Sequence, residues 1–199
     1  MHISHNEFMD DITGVLLAGG KSRRMGYDKA LIEVGGETLF SRSLDLLRRH
    51  FQAVFIAGDR PDLATPDLPV IPDIYPGSAL GGLYTALRSS QTEWIFVAPC
   101  DMPYPDSRIL QLLVSRRNGF DAVVPRTPAG NEPVFALYHQ RCLPHMEEML
   151  QQGQYRIYAF YQRINVLFLD WHELPEDWQR SLLNINTPDQ LARLRKDPV

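Results

Sequence analysis

Val15-Leu16-Leu17-Ala18-Gly19-Gly20-Lys21-Ser22-Arg23-Arg24-Met25-Gly26-Tyr27-Asp28-Lys29 passes from an apolar run to a glycine pair and then to four cations. A short apolar run bounded by turn residues has the pattern of a strand covered on both faces. The glycines remove two side chains, so backbone N–H groups there can approach an oxyanion closely. In open α/β sheets, ligands bind at the carboxyl ends of the strands. The stretch therefore reads as a first buried strand followed by a phosphate-binding loop, with Lys21, Arg23, Arg24 and Lys29 supplying the charge. A solvated basic loop whose glycines serve only a tight turn is the competing reading of these residues alone.

Similar runs recur at Val54 to Ala57, Pro69 to Ile71, Trp94 to Ala98, Ala122 to Pro125, Val134 to Tyr138 and Val166 to Asp170. Segments of helical period lie between them: Leu39, Phe40, Ser43, Leu44, Leu46 and Leu47, then Leu80, Leu83, Tyr84 and Leu87. This alternation predicts an α/β fold, a three-layer Rossmann-like sandwich with a mostly parallel central sheet. Asp106 ahead of Ile109, Leu110, Leu112 and Leu113 reads as a capped helix, and Thr187-Pro188-Asp189-Gln190 as a capping box opening the last one. Tyr155 to Phe160 fits helix or strand.

The 199 residues, 44% of them apolar, suit one domain over residues 1–199, with 1–11 as a flexible N-terminal extension. That extension carries His2, His5, Glu7, Asp10 and Asp11 and no apolar stretch, unlike a signal peptide. Two cysteines, Cys100 and Cys142, make no disulfide framework and point to reduced thiols in a cytoplasmic setting. No run is long enough to span a membrane. The net charge of −4 argues against a broad nucleic-acid surface. Residues 21–29 alone sum to +3, so cationic charge is concentrated in one loop of an otherwise acidic chain.

Two familiar phosphate motifs fail here. Gly20-Lys21-Ser22 looks like the end of a P-loop, but the glycine needed five residues before Gly20 is Val15. The dinucleotide fingerprint fails because the third position from Gly19 is Lys21. Asp101, in Pro99-Cys100-Asp101-Met102-Pro103, follows an apolar run and should face the same crevice as the first loop, where a hard oxygen ligand suits Mg2+ or, on the blander reading, a turn or cap. Asp73 is either a turn residue before Pro76-Gly77 or a contact to guanine or ribose, since a carboxylate can accept both N1–H and the exocyclic amine of guanine. Gly81 and Gly82 allow a close approach, of ligand or of packing. Asn184 and Asn186 could cap the final helix. Arg126, Glu132, Arg156 and Arg163 are cleft or ordinary surface residues. His139 and His145 read as surface or satisfied core, and Cys100 as packed structure.

Leu17-Ala-Gly-Gly-Lys-Ser-Arg-Arg-Met-Gly-x-Asp-Lys29 resembles the signature loop of the molybdenum cofactor guanylyltransferases. The likeness extends along the chain through Val70-Ile-Pro-Asp73, Pro76-Gly-x-x-x-Gly-Gly82, Pro99 to Pro103, Glu132 to Tyr138 and Asn184-Ile-Asn-Thr-Pro188. The resemblance implies a nucleotide-diphospho-sugar-transferase-like fold and Mg2+-dependent transfer of GMP from GTP to the phosphate of molybdopterin. It also implies that Asp101, Lys29 and Arg23 are catalytic, that Leu17, Ala18, Gly19, Gly20, Lys29, Asp73 and Asp101 bind the nucleotide, and that Asp101 holds the metal. The asparagine pair would lie where molybdopterin is expected. Partners would be GTP, molybdopterin and, transiently, other molybdenum cofactor biosynthesis proteins. One departure stands out: the family often has asparagine where this chain has Ala57, so that contact is lost or passes to the backbone or to Asp59. A cytidylyltransferase on the same cofactor and a sugar-1-phosphate nucleotidyltransferase are the nearest rivals. Gly19-Gly20, where cytidylyl relatives usually have Ala-Gly, counts against the first.

Overall fold

The computed structural model describes residues 9–19, 28–185 and 187–196. In chain order the elements are β1 (Ile12–Leu17), β2 (Glu33–Val34), β3 (Glu37–Thr38), α1 (Leu39–His50), β4 (Val54–Ala57), β5 (Val70–Ile71), α2 (Ala79–Ser89), β6 (Trp94–Pro99) and α3 (Ser107–Ser115). There follow β7 (Ala122–Thr127), β8 (Gly130–Asn131), β9 (Ala136–His139), α4 (Leu143–Gln151), α5 (Ile157–Tyr161), β10 (Val166–Asp170), α6 (Trp178–Ser181) and α7 (Pro188–Lys196).

The main sheet runs β10-β7-β9-β6-β1-β4-β5, with β8 paired to β7. β6, β1, β4 and β5 are mutually parallel, as are β10 and β7; β9 runs antiparallel to both of its neighbours. Side chains alternate between faces at a period of two. Ile12, Leu16, Ile56, Phe96 and Ala98 join α1 and α3 in one core, while Val15, Phe55, Ala57, Ile95 and Val97 join α2, α4 and α5 in the other. These are the three layers expected. A smaller cluster, Ile32, Val34, Leu39, Ile185 and Leu191, seats α7 on the β2–β3 hairpin.

Four of the helices, α1, α2, α3 and α7, begin where the sequence provides a side-chain acceptor for an unpaired N–H group. Thr38 accepts from Ser41 N–H, Ser78 from Gly81 N–H and Asp106 from Arg108 N–H. Thr187 and Gln190 form the reciprocal box: Gln190 N–H donates to Thr187 Oγ1, and Thr187 N–H donates to Gln190 Oε1. That box leaves Asn184 free of a capping duty. The aromatic stretch that fitted helix or strand is helical, with Ile157, Phe160 and Tyr161 turned into the core.

Register aligns the site. Leu17 pairs with both Ala57 and Pro99, and Ala57 with Ile71, so β1, β4, β5 and β6 end on one rung. Gly19, Asp59, Asp73 and Asp101 each lie two residues past that rung. Just past it the backbones crowd: a Cβ on Gly58, whose φ is +140°, would fall 2.5 Å from the Ala18 carbonyl oxygen. At the start of α2, a Cβ on Gly81 would run into the Tyr75 carbonyl, so this glycine serves packing of the helix against its own entry loop. Gly81→Ala should therefore cost about 1–3 kcal/mol by overpacking, read as a lower urea midpoint; an unchanged midpoint would show that the entry loop yields freely.

Candidate active site

A cleft of about 860 Å³ opens at this shared strand end. Its walls include Leu17, Ala18 and Gly19 after β1, Ala57 and Asp59 after β4, Asp73 and Gly77 to Ala79 after β5, Pro99 to Asp101 after β6, and Val134 and Asn184. Of the residues expected to act, Leu17, Ala18, Gly19, Lys29, Asp73 and Asp101 converge here. Gly20, Lys21, Arg23, Arg24 and Asn186 lie outside the described residues.

Lys29 opens a short 3-10 turn, Lys29–Leu31, and its Nζ stands 3.4 Å from Asp101 Oδ2. Both side chains are about four-fifths buried, at 18% and 20% exposure. Burial pushes the Asp101 carboxyl above the usual carboxylate range, against the opposing pull of Lys29. A desolvated hard-oxygen donor that one ammonium does not fully compensate is suited to a further cation such as Mg2+, which commonly takes one or two carboxylates and completes its shell with substrate phosphates and water. Among the described residues, no three His, Cys, Asp or Glu side chains converge to hold a metal, so such an ion would depend on Asp101 and ligand oxygens.

Asp73 lines the same cleft as Asp101. Its Oδ1 is buried without a hydrogen-bond partner, and burial, then the charge of Asp59, raises its carboxyl. Gly82 keeps the adjacent floor low, since a Cβ there would lie 3.8 Å from both Asp73 Oδ1 and Leu17 Cδ2. The loop carrying Asp73 is pinned to α2, where Ile74 N–H donates to Thr85 Oγ1 at 2.9 Å. Asn184 Oδ1 is the second cleft atom buried without a partner. Its neighbour Ile185 donates to the Asp101 carbonyl, which ties this wall to the end of β6. Buried polar atoms left unsatisfied by the protein mark places for a ligand's donors.

Other expectations resolve more plainly. Arg126 pairs with Asp170 and Arg163 with Glu148; neither lines the cleft. Desolvation, with the Asp101 charge beside it, pushes the Cys100 thiol up to about 12, in keeping with a packing role. His139 accepts from Arg141 N–H, and His145 is exposed. A second cleft, of about 400 Å³, is lined by charged residues, Arg42, Asp45, Arg49, Asp106, Asp177 and Arg180, and holds none of the expected site residues. Sequence reasoning missed Arg60, which is 3% exposed and lines the main cleft.

Comparison with known proteins identifies the family. The family model described as the MobA-like NTP transferase domain matches residues 14–165. A protein of Pelotomaculum thermopropionicum named as a probable molybdenum cofactor guanylyltransferase is 34% identical over 92% of this chain and 91% of its own length. The chain belongs to the molybdenum cofactor guanylyltransferase family. A second relative in this family, a probable molybdenum cofactor guanylyltransferase of Carboxydothermus hydrogenoformans, is 32% identical over 94% of this chain and 97% of its own. The crystal structure of molybdopterin-guanine dinucleotide biosynthesis protein A from Archaeoglobus fulgidus superposes with a TM-score of 0.79 at 26% identity, covering 92% of this chain and 97% of the other. The family fold is of the nucleotide-diphospho-sugar transferase type, as the resemblance implied, and it has the α/β layers and mostly parallel sheet expected from the alternation of strand and helix.

One carboxyl at the border of the cleft gives a stability test. Glu132, two residues before cleft-lining Val134, has no ion-pair partner among the described residues, and burial alone pushes it up to about 7. Between its ordinary 4.5 and that value, the folded chain holds a proton that the unfolded chain has released, so stability falls as pH rises through this window. Glu132→Gln should therefore raise the urea midpoint at about pH 8 and confer little at about pH 4. An equal difference at both pH values would show that the carboxyl titrates normally.

Proposed function

We propose that the chain transfers GMP from GTP to the terminal phosphate of molybdopterin, releasing pyrophosphate and forming molybdopterin guanine dinucleotide. The observation that carries this reading is the Lys29–Asp101 pair, 3.4 Å apart, in a cleft that also holds the unpartnered Asp73 Oδ1. The names of the curated relatives agree with it.

The nucleophile, a phosphate monoester, is ionised at neutral pH, so no side chain has to remove a proton before it attacks the α-phosphorus. The protein's task is to bring one anion against another, by alignment and charge neutralisation. Lys29 contacts the triphosphate and presents positive charge where it develops in the transition state. Lys21, Arg23 and Arg24, on the segment between β1 and Lys29, neutralise the leaving pyrophosphate. The backbone of Leu17, Ala18, Gly19 and Gly20 cradles base and phosphates. Asp73 accepts N1–H and the exocyclic amine of guanine, which gives its buried oxygen the donor it lacks. Asp101 would hold Mg2+, which when bound supplies further charge neutralisation at the phosphate oxygens.

Asp101→Ala and Lys29→Ala should each lower guanylyl transfer by at least about 100-fold with the circular dichroism spectrum unchanged. Near wild-type rates in both would remove the reading. Asp73→Ala should relax the preference for GTP over ATP and CTP, and an unaltered preference would take Asp73 out of the base site. Transfer assayed across the four nucleoside triphosphates separates guanylyl from cytidylyl chemistry directly.

A further inference from the structure

Arg60 is the one buried lysine or arginine among the described residues, and its ion-pair partners, Asp28 and Asp62, are not members of the pair on which the proposed chemistry rests. Burying a guanidinium is costly unless it is paired and hydrogen-bonded, and two carboxylates satisfy this one. Asp62 accepts from Nε and Nη2 at 3.0 and 2.8 Å. Asp28, 32 residues away in sequence, is held by both terminal nitrogens, Nη1 to Oδ1 at 3.1 Å and Nη2 to Oδ2 at 2.6 Å. Such a fork fixes direction as well as distance.

Asp28 has a second task. Its Oδ1 accepts from Ala30 N–H at 3.1 Å and so caps the turn that begins at Lys29, while its carbonyl accepts from Leu31 N–H. The chain of contacts runs from Arg60 to Asp28, through the capped turn to Lys29, and from Lys29 to Asp101. The far end of that chain is anchored, because Arg60 N–H donates to the Gly58 carbonyl, and Gly58 N–H donates in turn to the Ile71 carbonyl, at a point where the Ala18 backbone leaves no room for a Cβ. A lysine on a wandering turn would deliver its ammonium over a wide volume, and misplacement by about 1 Å can cost on the order of 100-fold in rate.

We infer that Arg60 is a positioning residue for Lys29: by gripping Asp28 it fixes the turn that presents the Lys29 ammonium to Asp101. This rests on the proposed guanylyl transfer for its kinetic consequence, but not for its structural one. Arg60→Ala should lower kcat by about 10- to 100-fold, with a smaller change in KM for GTP. Arg60→Lys should recover little, because an ammonium cannot reproduce the fork. Asp28→Asn keeps an acceptor for Ala30 N–H and removes the charge pair, so it should reproduce the Arg60→Ala loss, and the double variant should be no worse than Arg60→Ala alone.

A readout independent of activity is amide hydrogen exchange across Ala30 to Ile32 in the ligand-free full chain. It should speed up in Arg60→Ala and Asp28→Asn while β1 and β6 stay protected. Full rescue by Arg60→Lys, single losses that multiply in the double variant, or unchanged exchange beside lost activity would each overturn the assignment and make Arg60 a direct ligand contact or a general structural residue. If Arg60→Ala does not fold, Asp28→Asn decides alone, since its side chain is 31% exposed and can be cut from the solvent side. Absence of transfer by the wild type would sink the proposed function, and the exchange data would still judge the link from Arg60 to the turn.

Discussion

The shared rung at which four parallel strands end is the constraint from which the rest of this site follows. Parallel pairing of β5, β4, β1 and β6 brings Ile71, Ala57, Leu17 and Pro99 level, and the chain then has two residues in each strand to become a loop. Those loops carry Asp73, Asp59, Gly19 and Asp101. Because the side-chain period of a strand is two, a slip of one residue in any of these strands would turn its buried face outward as well as misplace the loop. The cores on both sides of the sheet, with Leu16 and Phe96 on one and Val15 and Val97 on the other, thus hold the register that aligns the cleft.

Alignment of this kind has an electrostatic cost. Burial raises the carboxyls of Asp73, Asp101 and Glu132, so the folded chain carries acids in places that disfavour their charge. Among the described residues, only Asp101 of the three has an ionic partner, in Lys29. Donors or cations brought close to these buried carboxyls would offset that cost. In sequence the acidic chain concentrates four cations between residues 21 and 29, and under the proposed function these are the groups that meet the phosphates.

The strands, the layers and much of this cleft were legible in the sequence because they rest on local pattern. Apolar runs mark β1, β4, β6, β7 and β10, and Gly19 and Asp101 declare themselves by following such runs. What the sequence hid depends on distant pairing. Arg60, in Gly58-Asp59-Arg60-Pro61-Asp62, looks like an ordinary charged loop; only the fold brings Asp28 across to bury it. Nor could spacing decide that β9 runs against its neighbours, or that it starts at Ala136 and not at Val134. The delay comes from a turn closed by Phe135 N–H on the Glu132 carbonyl. The signal that would have found Arg60 was the excess of acids around it, since Asp28, Asp59 and Asp62 need a cation if any of them is buried.

The reversal at β9 also sets the outline of the cleft. Beyond β6 the next strand is antiparallel, so its amino end, not its carboxyl end, stands at the rung where the parallel strands stop. The cleft wall on that side is accordingly made by residues entering β9, of which Val134 is one, and by Asn184 lying beside Asp101. Three parallel loops with glycines and acids thus form one flank, and a reversed strand entry with an unsatisfied amide oxygen forms the other. An in-line displacement puts the entering oxygen and the departing pyrophosphate on opposite sides of the phosphorus, and a cleft with two unlike walls is compatible with that geometry. The switch from parallel to antiparallel at β6 supplies that asymmetry within a single sheet, and cleft-lining Asp101 follows this strand, which pairs parallel with β1 and antiparallel with β9.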